Sequence, residues 1–589
     1  MGEAEQARTG LALGTAQRAR ALRAEAARWA ASMPVAFQHL LALLGYWAMA
    51  LALFGPKIRG HPSNRVLSST PADASFFVWA FRWWPYALVH AIQPLYTHHV
   101  FAPTGFNLAW ATAVPLAGIV MAPLTLAFGP FVAFNVTGLL APATAAWTAY
   151  LLCRRVTGSG LASFAGGFFF GYSTYELLVI SAGHLNLSLV ALLPLCAYLF
   201  VGHLEGSSSD RTFIVSMAGA IAAQALISTE VLATLTLIGA MTVSIGLLVS
   251  RRDRRALAGT ALATIYSYAA AAVILAPFLY VAFAYPAPAK TFLHATAAGA
   301  PHADAAFGGF VIPATITRFG HGVLFHGVVP KTGEYLGVPL LLILVLVAAT
   351  RWKHPAVRTL THAFGVIVVL SFGSYLRFGS VAVALPWNAI ARLPLLSRVV
   401  AGRMIVFASL IASVGVAAWL AGPRPSTWLR WALVIIAGIA IVPDVGARIW
   451  TSSVSLPPFV STGEYRRYLT PGEIVVVVAQ GRQQQMYWQA ESDMFFRLAG
   501  GYMGGTPPDF VDAAFERRLA SGSLSNLDGA ALRRFVAEHH VGALLVSPGA
   551  DGEDTLRRLM GAPIRTGGIV LFQVPSTWSS GSPVAGASP

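Results

Sequence analysis

The stretch SSTPADASFFVWAFRWW, residues 68–84, carries one acid, Asp73, among aromatic and aliphatic side chains. Between Pro34 and Ala447 there are nine acids: Asp73, Glu176, Glu205, Asp210, Glu230, Asp253, Asp304, Glu334 and Asp444. An ionisable group near bilayer depth costs several kcal/mol and is usually functional or paired. Complementary groups accompany these acids. SAGHLNLSL supplies His184 and Asn186, RLPLLSRVVAGRM supplies Arg392, Arg398 and Arg403, and Arg318, His321, His326 and Lys331 precede Glu334. Carboxylates can take protons from attacking hydroxyls, and guanidinium groups can hold an anion. Together they can hold an anionic, lipid-linked substrate.

Each residue also has a structural reading. Asp73 stands at a helix start, where an acid caps backbone N–H groups. Glu176 and Glu230 can pair with arginines between helices. His184 can be a hydrogen-bonded packing residue, and the arginines near 392–403 can meet lipid headgroups.

The elements that position these residues follow from composition. The chain has 589 residues, 56% hydrophobic and 11% charged, with mean hydropathy +0.64. Soluble proteins carry roughly 25% charged residues. Continuous apolar stretches of bilayer length recur, which predicts a polytopic α-helical membrane protein rather than a barrel. The formal charge of +16 falls mostly in short loops between spans, so it reads as orientation by cytoplasmic positive charge and not as nucleic-acid binding. Abundant Ala and Arg with little Lys fits a GC-rich bacterial genome. Cys153 and Cys196 both lie in apolar spans and read as packed thiols. No Cys/His cluster has zinc spacing.

Residues 1–33 read as a basic, amphipathic cytoplasmic tail beside anionic headgroups. The transmembrane domain covers 34–447, with a first span near 36–55 and a first outer loop over about 56–131. The topology turns on VPLAGIVMAPLTLAFG, residues 114–129. If this stretch stays at the outer interface, the basic clusters at 154–155, 251–255, 351–358 and 423–430 all fall inside. The positive-inside rule favours that choice, which gives about eleven spans, the N-terminus in and the C-terminus out. Asp73, Glu176, Glu230, Asp304 and Glu334 then gather at the outer face, where they suggest a polar cavity. Residues 448–575 have ordinary polarity. GEIVVVVAQ, GALLVSPG and GIVLFQVP read as buried strands, alternating with three amphipathic helices, in a small extracytoplasmic α/β domain. Residues 576–589 read as a disordered tail.

The order of these parts resembles the GT-C superfamily of integral membrane glycosyltransferases. The likeness is strongest over residues 36–205: one span, a long loop with an early Asp and an interfacial amphipathic helix, FFVWAFRWWPYALVHAI, an apolar segment ending in Gly, then a span ending in Arg-Arg. GHLNLSL, EYLGVPLLL, LPLLSRVVAGRM and MYWQAESDMFFRLAGGYMGGTPP resemble a poorly characterised bacterial group within it. The resemblance implies a polyprenyl-phosphate-linked sugar donor and a glycan or lipid acceptor, met at the outer face of the bacterial plasma membrane among membrane lipids. Asp73 matches the family's first-loop acid, a catalytic base or a group that places acceptor or metal. Many members carry two adjacent acids there. Here Ala72 and Ala74 flank Asp73, which weakens the case for a divalent cation such as Mg or Mn and leaves metal use open. The Trp-Trp-Asp motif of the oligosaccharyltransferase branch is absent.

In that chemistry Asp73 is the general base, and Arg398 or Arg403 steadies the departing phosphate. Glu176 and Glu230 hold sugar hydroxyls, with His184, Asn186 and Glu334 as further substrate-binding candidates. The alternative is a transporter or flippase of lipid-linked sugars, which would place acids along a path through the bilayer midplane. GGYMGG, residues 500–505, lacks Rossmann or P-loop spacing and reads as a turn-rich loop facing the membrane cavity.

Overall fold

The computed structural model describes residues 34–285, 308–320, 333–378, 381–393, 396–479, 481–507, 509–524 and 527–578. The expected tail at 1–33, together with Asp304, His321, His326, Lys331 and residues 579–589, lies outside the described residues.

Among the described residues, six helices are long and apolar enough to cross a membrane: Val35–Ile58, Pro130–Thr157, Leu185–Leu204, Thr229–Val249, Arg254–Ile274 and Ala401–Leu420. Shorter apolar helices, Val338–Arg351, Pro355–Ser371 and Thr427–Ala440, accompany them. The chain is a multi-pass, helical membrane protein. Its central helices approach closely through small residues, as expected where lipid supplies no hydrophobic drive. A Cβ at Gly167 would meet the Ala146 carbonyl at 2.4 Å, and one at Gly171 would meet the Pro142 carbonyl at 2.3 Å. The apolar segment that follows Arg154 and Arg155 is two helices, Gly160–Gly171 and Thr174–Ser181. Ser173 separates them and caps the second through the Glu176 N–H.

The 59–129 segment leaves and re-enters the bundle on one face. Near its start, the Leu67 N–H donates to Oδ1 of Asn135 at 2.9 Å, just beyond its end. Nδ2 of Asn135 donates to the Arg65 carbonyl at 2.7 Å. The stretch at 114–129 forms two short helices, Pro115–Val120 and Ala122–Phe128, too short to span a bilayer. At the other end of the bundle, Arg154 bonds Gln38 and Arg155 pairs with Glu205 at 2.9 Å.

The C-terminal unit is built on a five-stranded mixed sheet. Ile474–Val478, buried at all five positions, runs parallel to Arg497–Leu498 on one side and Val541–Val546 on the other. Ile569–Gln573 pairs antiparallel with Val541–Val546, and Ile564–Thr566 closes the edge. Continuous apolar strands with helical crossovers are what buried parallel pairing requires.

This unit sits on the first loop. Residues 99–102 bond to its edge: Leu498 N–H donates to the His99 carbonyl at 2.8 Å, Ala102 N–H to the Leu498 carbonyl at 2.9 Å, and Phe101 N–H to the Gly500 carbonyl at 2.9 Å. A two-residue ladder, Arg65–Val66 with Ser452–Ser453, adds a second seam. The helix Pro71–Val89 lies between. The sequence reads it as amphipathic and interfacial, but Phe76 through Phe81 and Trp83, Trp84 and Ala87 are all buried. Its aromatics form the seat of the sheet unit and are neither a lipid-facing belt nor an open stacking platform.

His99 sits in that seam, its ring 5.2 Å from Trp83 and 5.3 Å from Tyr86. Burial, with Arg497 nearby, lowers its pKa from 6.5 to about 4. An exposed His takes up its proton near pH 6.5, so the unfolded chain binds more protons than the folded one between pH 6.5 and about 4. Stability from the neutral ring is therefore complete above pH 6.5 and is lost as pH falls to about 4. Thermal unfolding should show a falling midpoint across that window, and His99→Gln should flatten the decline. An identical slope in the variant would contradict this assignment.

Candidate functional site

Pro71 opens the helix that carries Asp73 in its first turn. The acid does not spend itself on that helix. Its Oδ2 lies 2.7 Å from Nε2 of His184 and its Oδ1 accepts from the Tyr502 hydroxyl at 2.9 Å. The Asp73 side chain is 43% exposed and His184 28%, so the pair is supported from behind and open in front. The His184 bond is the main influence holding the carboxyl below its usual range. Burial opposes this, and the His184 charge, the Tyr502 bond and Arg403 add to the lowering. Asp73 is thus an ionised carboxylate at neutral pH.

His184 reaches Asp73 because Gly183 turns the chain at φ +74°. A Cβ at Gly183 would lie 2.6 Å from Ser68 Oγ and 3.4 Å from the Ala74 side chain. The adjoining Ser69 N–H donates to the Ser181 carbonyl at 2.6 Å, tying the two loops. Tyr502 comes from GGYMGG in the sheet unit. Arg482 fixes that loop, donating to the Gly501 carbonyl at 3.1 Å and to Glu516 at 2.9 Å. Tyr487 donates to the Pro71 carbonyl at 2.8 Å, two residues before Asp73. Burial first, then the Asp73 charge, pushes the Tyr502 hydroxyl up to about 12, so it remains a donor at all ordinary pH values.

Arg403 and Glu230 form the second pair. Nη1 of Arg403 meets both Glu230 oxygens, at 2.8 and 2.9 Å. Ser228 caps the helix that presents Glu230. Arg403 is close enough to Asp73 to act on its charge. Both described bonds use one nitrogen, so much of the guanidinium fork is free of described partners.

The other expected residues are placed differently. Glu176 is buried at 1% exposure, and neither carboxyl oxygen has a hydrogen-bond partner among the described residues. The expected pairing with an arginine is therefore absent there, whereas Glu230 has it. Glu334 is fully buried in a segment held by Thr174, whose hydroxyl bonds the Gly333 carbonyl at 2.9 Å. Asn186 is buried in the short helix Leu185–Ser188. Arg398 lies in the turn Leu396–Arg398, its side chain outside the described residues. Among the described residues, Glu176 and Glu334 are thus enclosed and do not share an open cavity with Asp73. A recess of about 320 Å³ lies instead beside Lys57, Arg65 and Arg448. Sequence reasoning missed Tyr502 as a partner of Asp73, although its loop belongs to a stretch that carries the family resemblance.

The donor set at Asp73 does not suit a chelated cation. Both carboxylate oxygens are engaged by donors, and alanines stand on either side. The carboxylate of Glu230 is bound to Arg403.

No family model matches the sequence, and no curated protein matches it. Solved structures do match. The apo oligosaccharyltransferase of Archaeoglobus fulgidus has a TM-score of 0.52 at 12% identity, over 86% of this chain and 69% of that one. The arabinofuranosyltransferase AftD from Mycobacteria has a TM-score of 0.52 at 12% identity, over 92% of this chain and 40% of that one. This chain has the GT-C fold.

Removing either donor should raise the Asp73 pKa toward that of a free carboxyl. His184→Gln should raise it more than Tyr502→Phe, since the His184 bond is the larger influence. Infrared titration of the carboxyl band, with Asp73→Asn as the blank, reads the shift. The reverse order, or no shift in either variant, would refute the assignment.

Proposed function

We propose that this protein is a membrane glycosyltransferase that moves a sugar from a polyprenyl-phosphate donor to an acceptor hydroxyl at the extracytoplasmic face of a bacterial plasma membrane. The observation that carries the reading is the Asp73 carboxylate, braced by His184 and Tyr502 with a cation beside it, at the face of a GT-C bundle where the sheet unit docks. The fold shared with an oligosaccharyltransferase and an arabinofuranosyltransferase supports it. So does the position of Arg154, Arg351 and Arg358 at the opposite helix ends, against Gln38, Ala418 and Val249, which by the positive-inside rule favours a cytoplasmic reading of that end.

In this reading the acceptor oxygen attacks the anomeric carbon as the bond from that carbon to the phosphate oxygen breaks. The bonding pair leaves with the phosphate, which departs as polyprenyl phosphate. The acceptor proton passes to Asp73. A carboxylate of lowered pKa is a weak base, but the acceptor hydroxyl becomes strongly acidic as its new bond forms, so transfer late in the step suffices. The departing phosphate needs positive charge rather than a proton, and the free part of the Arg403 fork offers it. Glu230 orients Arg403. His184 and Tyr502 are positioning residues that hold Asp73 ionised and aimed.

Purified protein in lipid, offered a panel of synthetic polyprenyl-phosphate sugars, should transfer or release sugar. Asp73→Asn should reduce turnover by about 10²-fold or more with donor binding retained, and Arg403→Gln should weaken donor binding as well. Equal turnover by wild type and Asp73→Asn would remove Asp73 from the mechanism. Inert wild type across the panel would remove the reaction.

A further inference from the structure

The sheet unit carries a second polar cluster that the proposed transfer does not use. Asp512, Glu538 and His539 each place one ligand atom within 4.8 Å of the others. His539 follows the helix Gly529–Glu538 as its C-cap and is 4% exposed. Its ring stands between Phe510 and Phe535, at centroid distances of 4.8 and 4.4 Å. The Ala102 and Val511 carbonyls lie near it, yet neither ring nitrogen closes a hydrogen bond of proper geometry among the described residues. Oδ2 of Asp512 is also buried without a partner among the described residues.

Buried polar atoms are nearly always satisfied. An imidazole nitrogen and two carboxylates that converge without bonding one another call for a ligand that accepts all three. Two carboxylates only accept, and they repel each other, so that ligand is a cation. We propose that Asp512, Glu538 and His539 form a site for a divalent transition-metal ion of the zinc or manganese class, to which imidazole and carboxylate donors are suited. Donors about 2.1 Å from a shared ion sit about 3.4 Å apart, so closure asks for a short inward swing. Glu538, the exposed member of the three, is free to make it.

The placement gives the ion a structural task. It would join the segment before the helix Ala513–Ala520 to the end of the helix Gly529–Glu538. Phe510, in that segment, packs against Phe101 at 5.1 Å, and Phe101 belongs to the loop segment whose backbone bonds Gly500. The ion would thus stiffen the seat from which Tyr502 reaches Asp73, without touching Asp73.

The test uses untagged full-length protein in lipid, stripped with chelator and then equilibrated with Zn²⁺ or Mn²⁺ alone. Elemental analysis should find one tightly held ion per chain, and the thermal midpoint should rise on loading. Glu538→Gln, which changes an exposed residue, and Asp512→Asn should each weaken binding by about tenfold or more. Asp73→Asn should retain both the ion and the thermal shift. Binding that survives in Glu538→Gln and Asp512→Asn, or that disappears in Asp73→Asn, would place the ion elsewhere and overturn the site. So would the absence of a bound ion in wild type. None of these readouts depends on sugar transfer, so the site stands or falls apart from the proposed reaction.

Discussion

The architecture depends on one buried amide. Gln489 is completely enclosed, and its described bonds engage both ends of the amide. Oε1 accepts from the Trp79 indole at 2.6 Å, and Nε2 donates to the His99 carbonyl at 2.7 Å and the Phe496 carbonyl at 2.8 Å. These partners come from the helix that carries Asp73, the loop segment bonded to the sheet edge, and the sheet unit itself. A buried amide left unsatisfied costs about 1–3 kcal/mol for each lost partner, so the three elements can meet in only one register. Arg82 and Asp493, 3.2 Å apart, add a more exposed tie, worth little by comparison.

That register explains why the candidate site straddles two units. Asp73 belongs to the membrane domain and Tyr502 to the sheet unit, 429 residues apart in sequence. His184 and the Arg403–Glu230 pair come from other elements of the membrane domain, Glu230 and Arg403 each from the start of a helix. No single helix could carry these groups in such proximity. Placing them at the seam leaves one side of Asp73 braced and the other open, which suits a base that must be ionised beforehand and accessible to a hydroxyl. It also gives the C-terminal unit a role in the proposed chemistry beyond covering the membrane domain.

Part of this was legible in the chain. Charge asymmetry is a constraint summed over many loops. It kept residues 114–129 on one face, and the bond from Leu67 to Asn135 shows the segment returning there. The scarcity of acids singled out Asp73, and polarity separated the sheet unit from the bundle. The partners of Asp73 were not legible, because nothing local to GGYMGG states which loop it will meet. The helix Pro71–Val89 was misread for a different reason. A helix apolar all round is buried rather than interfacial, and the run from Phe76 to Trp84, broken only by Arg82, already had that character. Glu176 was misread because sequence offers charge but not enclosure. It lies in the interior, and among the described residues no arginine meets its carboxyl oxygens.

The central claim is that Asp73, with Arg403 beside it, marks where the donor's reacting end lies. The most direct measurement is an electron cryomicroscopy structure of the protein in lipid with a non-hydrolysable polyprenyl-phosphate sugar bound. The account predicts the phosphate against the free guanidinium nitrogens of Arg403, and the anomeric carbon facing the open side of the Asp73 carboxylate. A donor seated instead in the recess beside Lys57, Arg65 and Arg448, with Asp73 out of reach, would contradict it.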